Sequence, residues 1–159
     1  MAAPMRIAVL DDYQNVALQM ADWSAVTDRA DVTVFNDHIA DPDELVARLE
    51  PFDVVFVMRE RTPLPRSIIE RLPNLKMIAS TGPFNASIDM AAAEDHGIHV
   101  GTTGGTVAST VELTWALILA GVRNLVAESQ SVRDGGWQTS VGRELAGRTL
   151  GVLGLGRIG

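Results

Sequence analysis

Residues 53–62, Asp53-Val54-Val55-Phe56-Val57-Met58-Arg59-Glu60-Arg61-Thr62, decide what kind of sheet this chain builds. After Asp53 the run to Met58 is apolar without polar alternation, the pattern of a strand covered on both faces. Charge then returns abruptly at Arg59, which marks the strand's C-terminal end. Runs of the same kind recur at Arg6 to Leu10, Val32 to Phe35, Lys76 to Ala79, Ile98 to Val100 and Thr149 to Leu153. Helical stretches separate them, so the chain reads as α/β with a parallel sheet covered by helices.

The helix boundaries carry their own signals. Asp41-Pro42-Asp43-Glu44 supplies an N-cap carboxylate, a proline at the first helical position and a glutamate able to reach back, which predicts a helix over Glu44 to Leu49. Ser109-Thr110-Val111-Glu112 has the spacing of a capping box and opens a long helix toward Arg123. Gly97 follows Ala91-Ala92-Ala93-Glu94-Asp95-His96 as a left-handed C-cap. The glycine- and threonine-rich stretch Gly101 to Thr106 marks a boundary, giving a first domain over residues 1–104 with five strands and a second over 105–159.

Bulk properties narrow the function. The chain has 159 residues, 47% hydrophobic and 21% charged, the composition of a soluble globular protein. A formal charge of −7 repels phosphate backbones and anionic bilayers, so nucleic acid and membrane partners are not expected. Without cysteine there is no disulfide, thiolate metal site or cysteine nucleophile, and a reducing cytoplasm is the expected compartment. The apolar part of MAAPMRIAVLDD is too short for a signal peptide. Val111 to Val122, interrupted by Glu112 and Thr114, falls short of the roughly 20 residues a bilayer requires.

Several residues are placed where chemistry is done. Open parallel sheets hold ligands beyond the C-terminal ends of their strands. Arg59 lies there, and its planar guanidinium can grip a carboxylate through two parallel hydrogen bonds. Arg61 reads as a surface arginine. Ser80-Thr81-Gly82-Pro83-Phe84-Asn85 follows the next strand and is either a cradle of backbone amides for an anion or a simple turn. Asp11 and Asp12 suggest a receiver-like magnesium site, but that site needs an aspartate where Arg59 stands, so capping of a helix by one of them is the simpler account. His38, His96 and His99 show no metal-ligand spacing and read as solvated or hydrogen-bonded surface groups; no metal site is expected.

Leu150-Gly151-Val152-Leu153 leads into Gly154-Leu155-Gly156-Arg157-Ile158-Gly159, the GxGxxG fingerprint of a dinucleotide turn. Its first glycine allows the tight turn, its second admits a pyrophosphate, and its third permits close strand–helix packing. The helix that should follow, and the acidic residue about 20 positions on for the ribose hydroxyls, fall beyond Gly159.

Taken together, Met58 to Thr62, Leu75-Lys76 through Ile88-Asp89, Val111 to Thr114, Asp134-Gly135-Gly136-Trp137 and Glu144 to Gly151 running into the fingerprint resemble the D-isomer-specific 2-hydroxyacid dehydrogenase family. The resemblance implies a flavodoxin-like five-stranded parallel sheet domain followed by the start of a Rossmann domain. It implies a nicotinamide cofactor, NAD or NADP, exchanging hydride with a small 2-hydroxy or 2-oxo acid. Arg59 would help hold the substrate carboxylate, with Gly82 and Phe84 offering backbone amides. Gly154, Gly156, Arg157, Ile158 and Gly159 would meet the pyrophosphate. Pro83 departs from the pattern, because it has no N–H to donate.

The arginine and the histidine–carboxylate pair that do the family's chemistry lie downstream of the fingerprint. No catalytic residue is therefore expected in this chain, which should be inactive alone, bind NAD poorly and correspond to the front portion of a longer enzyme. The helices after the boundary imply a homodimer. A non-catalytic dinucleotide-sensing or dimerising module is the alternative.

Overall fold

The computed structural model describes residues 4–159. Met1 to Ala3, the start of the stretch read above as no signal peptide, lie outside the described residues. The chain divides into two compact units, Met1–Gly105 and Thr106–Gly159.

In the first unit, five strands alternate with short helices: β1 (Met5–Val9), α1 (Ser24–Thr27), β2 (Ala30–Val34), α2 (Pro42–Leu49), β3 (Val54–Val57), α3 (Arg66–Ile69), β4 (Met77–Ser80), α4 (Met90–Asp95) and β5 (His99–Thr102). All neighbours pair in parallel in the order β2-β1-β3-β4-β5. This is the flavodoxin-like order, and its topological switch point lies between β1 and β3. The α/β sheet expected from the sequence is therefore present.

Burial follows position in the sheet. Val55 and Val57 of β3, Ile78 of β4 and Ala8 and Val9 of β1 are fully buried, and Leu49, Leu64 and Ile69 pack the same core. Continuous burial holds at the centre only. The outer strands β2 and β5 contain no fully buried residue, because an edge strand has one neighbour instead of two.

Local signals explain the helix ends. The Asp41 carboxylate accepts from the N–H groups of Asp43 (2.9 Å) and Glu44 (3.0 Å), and Pro42 takes the first helical position. α2 then turns Leu45, Val46 and Leu49 into the core. Gly97 adopts φ +67° after α4 and closes that helix as expected.

The second unit contains α5 (Ala108–Val122) and α6 (Leu125–Arg133), bent by 67° at a break where Asn124 takes φ +54°. Two expectations fail here. α5 begins at Ala108, so Ser109 and Glu112 lie inside the helix, and the Thr106 hydroxyl accepts the Ala108 N–H at 3.2 Å instead. Thr149 to Leu153 forms no strand. A strand requires a neighbour to complete its ladder, and the described residues of this unit include no other strand. Among the described residues no single helix is long and apolar enough to cross a membrane.

Candidate functional site

Beyond the C-terminal ends of β3 and β4 the backbone takes two left-handed turns, at Arg59 (φ +57°) and Gly82 (φ +89°). A non-glycine residue in this region is uncommon and needs local support. The Arg59 N–H donates to Thr81 Oγ1 at 2.9 Å, and its carbonyl accepts from Asn85 Nδ2 at 2.7 Å. Asn85 is buried, donates also to Ser80 Oγ (3.0 Å), and accepts from Ser87 through both its N–H (3.0 Å) and its hydroxyl (2.7 Å). One asparagine thus locks the β4 loop onto the β3 loop.

This arrangement brings Arg59 and Gly82 together. A side chain at position 82 would collide with the Arg59 guanidinium, which lies against the glycine backbone. The Arg59 side chain is 55% exposed, and its Nε sits 3.6 Å from Glu60 Oε2. An anion arriving at this edge therefore meets a planar cation with one loose partner.

The loop amides are less available. Gly82 donates its N–H to Thr103 Oγ1 (2.8 Å), and Gly82 O accepts from Thr103 N (3.1 Å). Pro83 has no N–H, whereas the Phe84 N–H makes no hydrogen bond among the described residues. Phe84 is 68% exposed at the tip of the loop.

At the neighbouring switch point, Asp11 is buried with φ +58°. Its carboxylate oxygens contact His38 Nδ1 at 2.8 Å and accept from Thr62 Oγ1 at 2.6 Å. Its carbonyl accepts from Arg61 Nη1 at 2.6 Å, and the Arg61 guanidinium lies 4.8 Å from the centre of the Tyr13 ring. Burial, followed by the adjacent Asp11 charge, pushes the Tyr13 hydroxyl above its ordinary pKa. Asp12 accepts from Val16 N (3.1 Å) and Ala17 N (2.8 Å), so it caps a turn and not the expected helix.

Sequence reasoning placed Arg59, Gly82 and Phe84 on one edge, and the structure puts them there. It missed Asn85, Thr103 and the Asp11–Thr62–His38 cluster as supports. Those contacts join residues 21 to 51 positions apart, and nothing local announces them. Among the described residues no group of three or more acidic or histidine side chains could hold a metal ion.

In the second unit, Gly154 takes φ +87°, and a side chain at Gly159 would strike the Gly154 carbonyl. The fingerprint thus forms a tight turn. At positions 154 and 156 nothing lies within 4 Å of where a side chain would start. Arg157 and Ile158 belong to the same turn, but no helix follows Gly156 among the described residues.

The family model described as "D-isomer specific 2-hydroxyacid dehydrogenase, catalytic domain" matches residues 7–149. A hydroxypyruvate reductase of Thermotoga maritima is 34% identical over 99% of this chain and 50% of its own length. A D-3-phosphoglycerate dehydrogenase of Archaeoglobus fulgidus is 37% identical over 74% of this chain and 23% of its own. The crystal structure of a phosphoglycerate oxidoreductase from Vibrio cholerae superimposes with a TM-score of 0.90 at 42% identity, covering 97% of this chain and 50% of that one. The chain thus spans half the length, or less, of these relatives. Sequence and fold agree: the chain belongs to the D-isomer specific 2-hydroxyacid dehydrogenase family.

Proposed function

We propose that this chain supplies the substrate-carboxylate site of an NAD(P)-dependent 2-hydroxyacid dehydrogenase. The observation that carries the reading is the Arg59 guanidinium lying against Gly82 at the C-terminal edge of two adjacent parallel strands. Two charge-assisted hydrogen bonds from Arg59 hold the carboxylate of a 2-hydroxy or 2-oxo acid, and the Phe84 N–H, which makes no hydrogen bond among the described residues, would add a third. Gly82 serves by leaving room for the guanidinium.

Family members use NAD(P). Gly154, Gly156, Arg157, Ile158 and Gly159 would hold its pyrophosphate, and the bound nicotinamide would supply or accept the hydride. The domains divide as residues 1–104 for substrate and 105–159 for the beginning of the cofactor domain. The groups that polarise the carbonyl and move the proton in the resembled enzymes are not among these residues, so the 159-residue chain alone would hold the substrate carboxylate, turn over no substrate and bind NAD poorly. Exposed Leu113, Leu117, Val126 and Trp137 favour a homodimer; light scattering showing a monomer across the accessible concentration range would count against it.

The site is tested by adding pyruvate to the isotope-labelled chain and following amide resonances. The expected shifts concentrate at Arg59, Gly82 and Phe84. Shifts elsewhere, or none at saturating pyruvate, would remove the assignment. Titration with NADH separates this reading from a dinucleotide sensor, which must bind tightly without turnover.

A further inference from the structure

We propose that Asp11 and Thr62 are positioning residues for the substrate carboxylate, acting through the loop that carries Arg59; this rests on the assignment of Arg59 above. Arg59 occupies a left-handed conformation that a non-glycine residue keeps only when its surroundings over-determine it. Two sets of contacts do so. On the β4 side, Thr81 and Asn85 take its N–H and carbonyl. On the β1 side, Asp11 receives Thr62 Oγ1 on its carboxylate and Arg61 Nη1 on its carbonyl, each at 2.6 Å. The chain from Arg59 to Thr62 is therefore pinned at both ends.

Asp11 is itself held rigidly. Leu10 N–H donates to Phe56 O (2.9 Å) and Asp12 N–H to Phe35 O (3.0 Å), which fixes its backbone between β1, β2 and β3. His38 occupies the carboxylate oxygen that Thr62 leaves free.

The location gives the arrangement its meaning. In a sheet of this strand order, the crevice between β1 and β3 is where a ligand ordinarily sits. Here Asp11 and Thr62 occupy it at 1% and 2% exposure. At that burial neither side chain can touch a ligand, so they act on Arg59 and not on substrate. The crevice is filled from within, and the accessible cation lies one strand over, beside β4.

The test measures pyruvate affinity by calorimetry on the wild-type chain and on Thr62→Val, Thr62→Ser and Arg59→Lys, with the urea midpoint of each. Removing the hydroxyl leaves a buried Asp11 oxygen without its partner, so Thr62→Val should weaken binding about fivefold, while Thr62→Ser stays within about twofold of wild type. A merely structural role predicts a lower urea midpoint for Thr62→Val with unchanged affinity, and that result overturns the proposal. Should Thr62→Val fail to fold, Asp11→Asn, which keeps the shape, replaces it: weakened binding supports the proposal and wild-type affinity overturns it. If Arg59→Lys weakens binding and Thr62→Val does not, the positioning role alone falls. If Arg59→Lys has no effect, or the wild-type chain does not bind pyruvate, the assignment of Arg59 falls and this proposal with it.

Discussion

Ile78 in β4 and Leu117 in α5 are both aliphatic residues in regular elements, yet Ile78 is fully buried and Leu117 is 64% exposed. The contrast runs through both units. α2 is amphipathic and turns Leu45, Val46 and Leu49 inward, whereas α5, more apolar than α2 and apolar around its circumference, buries no residue at all. Hydropathy says which surface needs cover, and topology decides whether cover is at hand. The five-stranded sheet supplies it in the first unit through four parallel pairings. The described residues of the second unit offer two helices and a glycine turn, which are too few to enclose a core.

The largest test of this contrast is a matched pair of truncations followed by urea unfolding. Ile78→Ala should cost about 2–5 kcal/mol through lost burial and a residual cavity. At protein concentrations where the chain is monomeric, Leu117→Ala should stay within about 0.5 kcal/mol, as exposed positions do. Equal costs under those conditions would mean that α5 is covered within a single chain and would break the comparison.

Helix caps give a smaller effect. Asp41 satisfies two N–H groups of α2, so Asp41→Ala should lower stability by about 1 kcal/mol. Thr106 makes one longer bond at the start of exposed α5, and Thr106→Ala should barely move the same midpoint. A reversed ranking would place the more cooperative structure in the second unit.

The smallest effect concerns pH. The hydrogen bond from Lys76 Nζ (2.7 Å), then that from the Arg6 N–H, holds the Asp53 carboxyl below its ordinary pKa. A carboxylate depressed in the folded state stabilises above its unfolded pKa, and that contribution disappears as pH falls through the folded value. Lys76 is largely exposed, so Lys76→Met should destabilise by about 0.2–1 kcal/mol at neutral pH. In strong acid the two unfolding midpoints should converge. A constant gap across the range would show that the pair contributes nothing through charge.

Much of the first unit was legible because its signals are local. Apolar runs without alternation located β1 to β5 within a few residues, and Asp41-Pro42 and Gly97 located helix ends by backbone chemistry. Thr149 to Leu153 misled for a physical reason: β propensity describes a residue's fit to a sheet, and the described residues of its unit include no partner strand. The capping box at Ser109 misled by proximity, since Thr106 reaches the first amide sooner.

The site was legible in part. Arg59 and Gly82 could be placed at strand ends from sequence, and parallel pairing of β3 with β4 makes them neighbours. Their supports could not be placed. Asn85 is an ordinary loop residue until the fold brings the Arg59 carbonyl to it. Asp11, read with Asp12 as two aspartates of which one caps a helix, is instead buried and accepts a hydrogen bond from Thr62, 51 residues away.

The central claim is that the exposed cation beside Gly82 holds a substrate carboxylate, and pyruvate calorimetry on wild type and Arg59→Lys tests it most directly. A lysine keeps the charge but cannot reproduce the planar two-point grip, so affinity should fall about tenfold or more. Equal affinity for the two proteins would contradict the account and return Arg59 to the solvated surface.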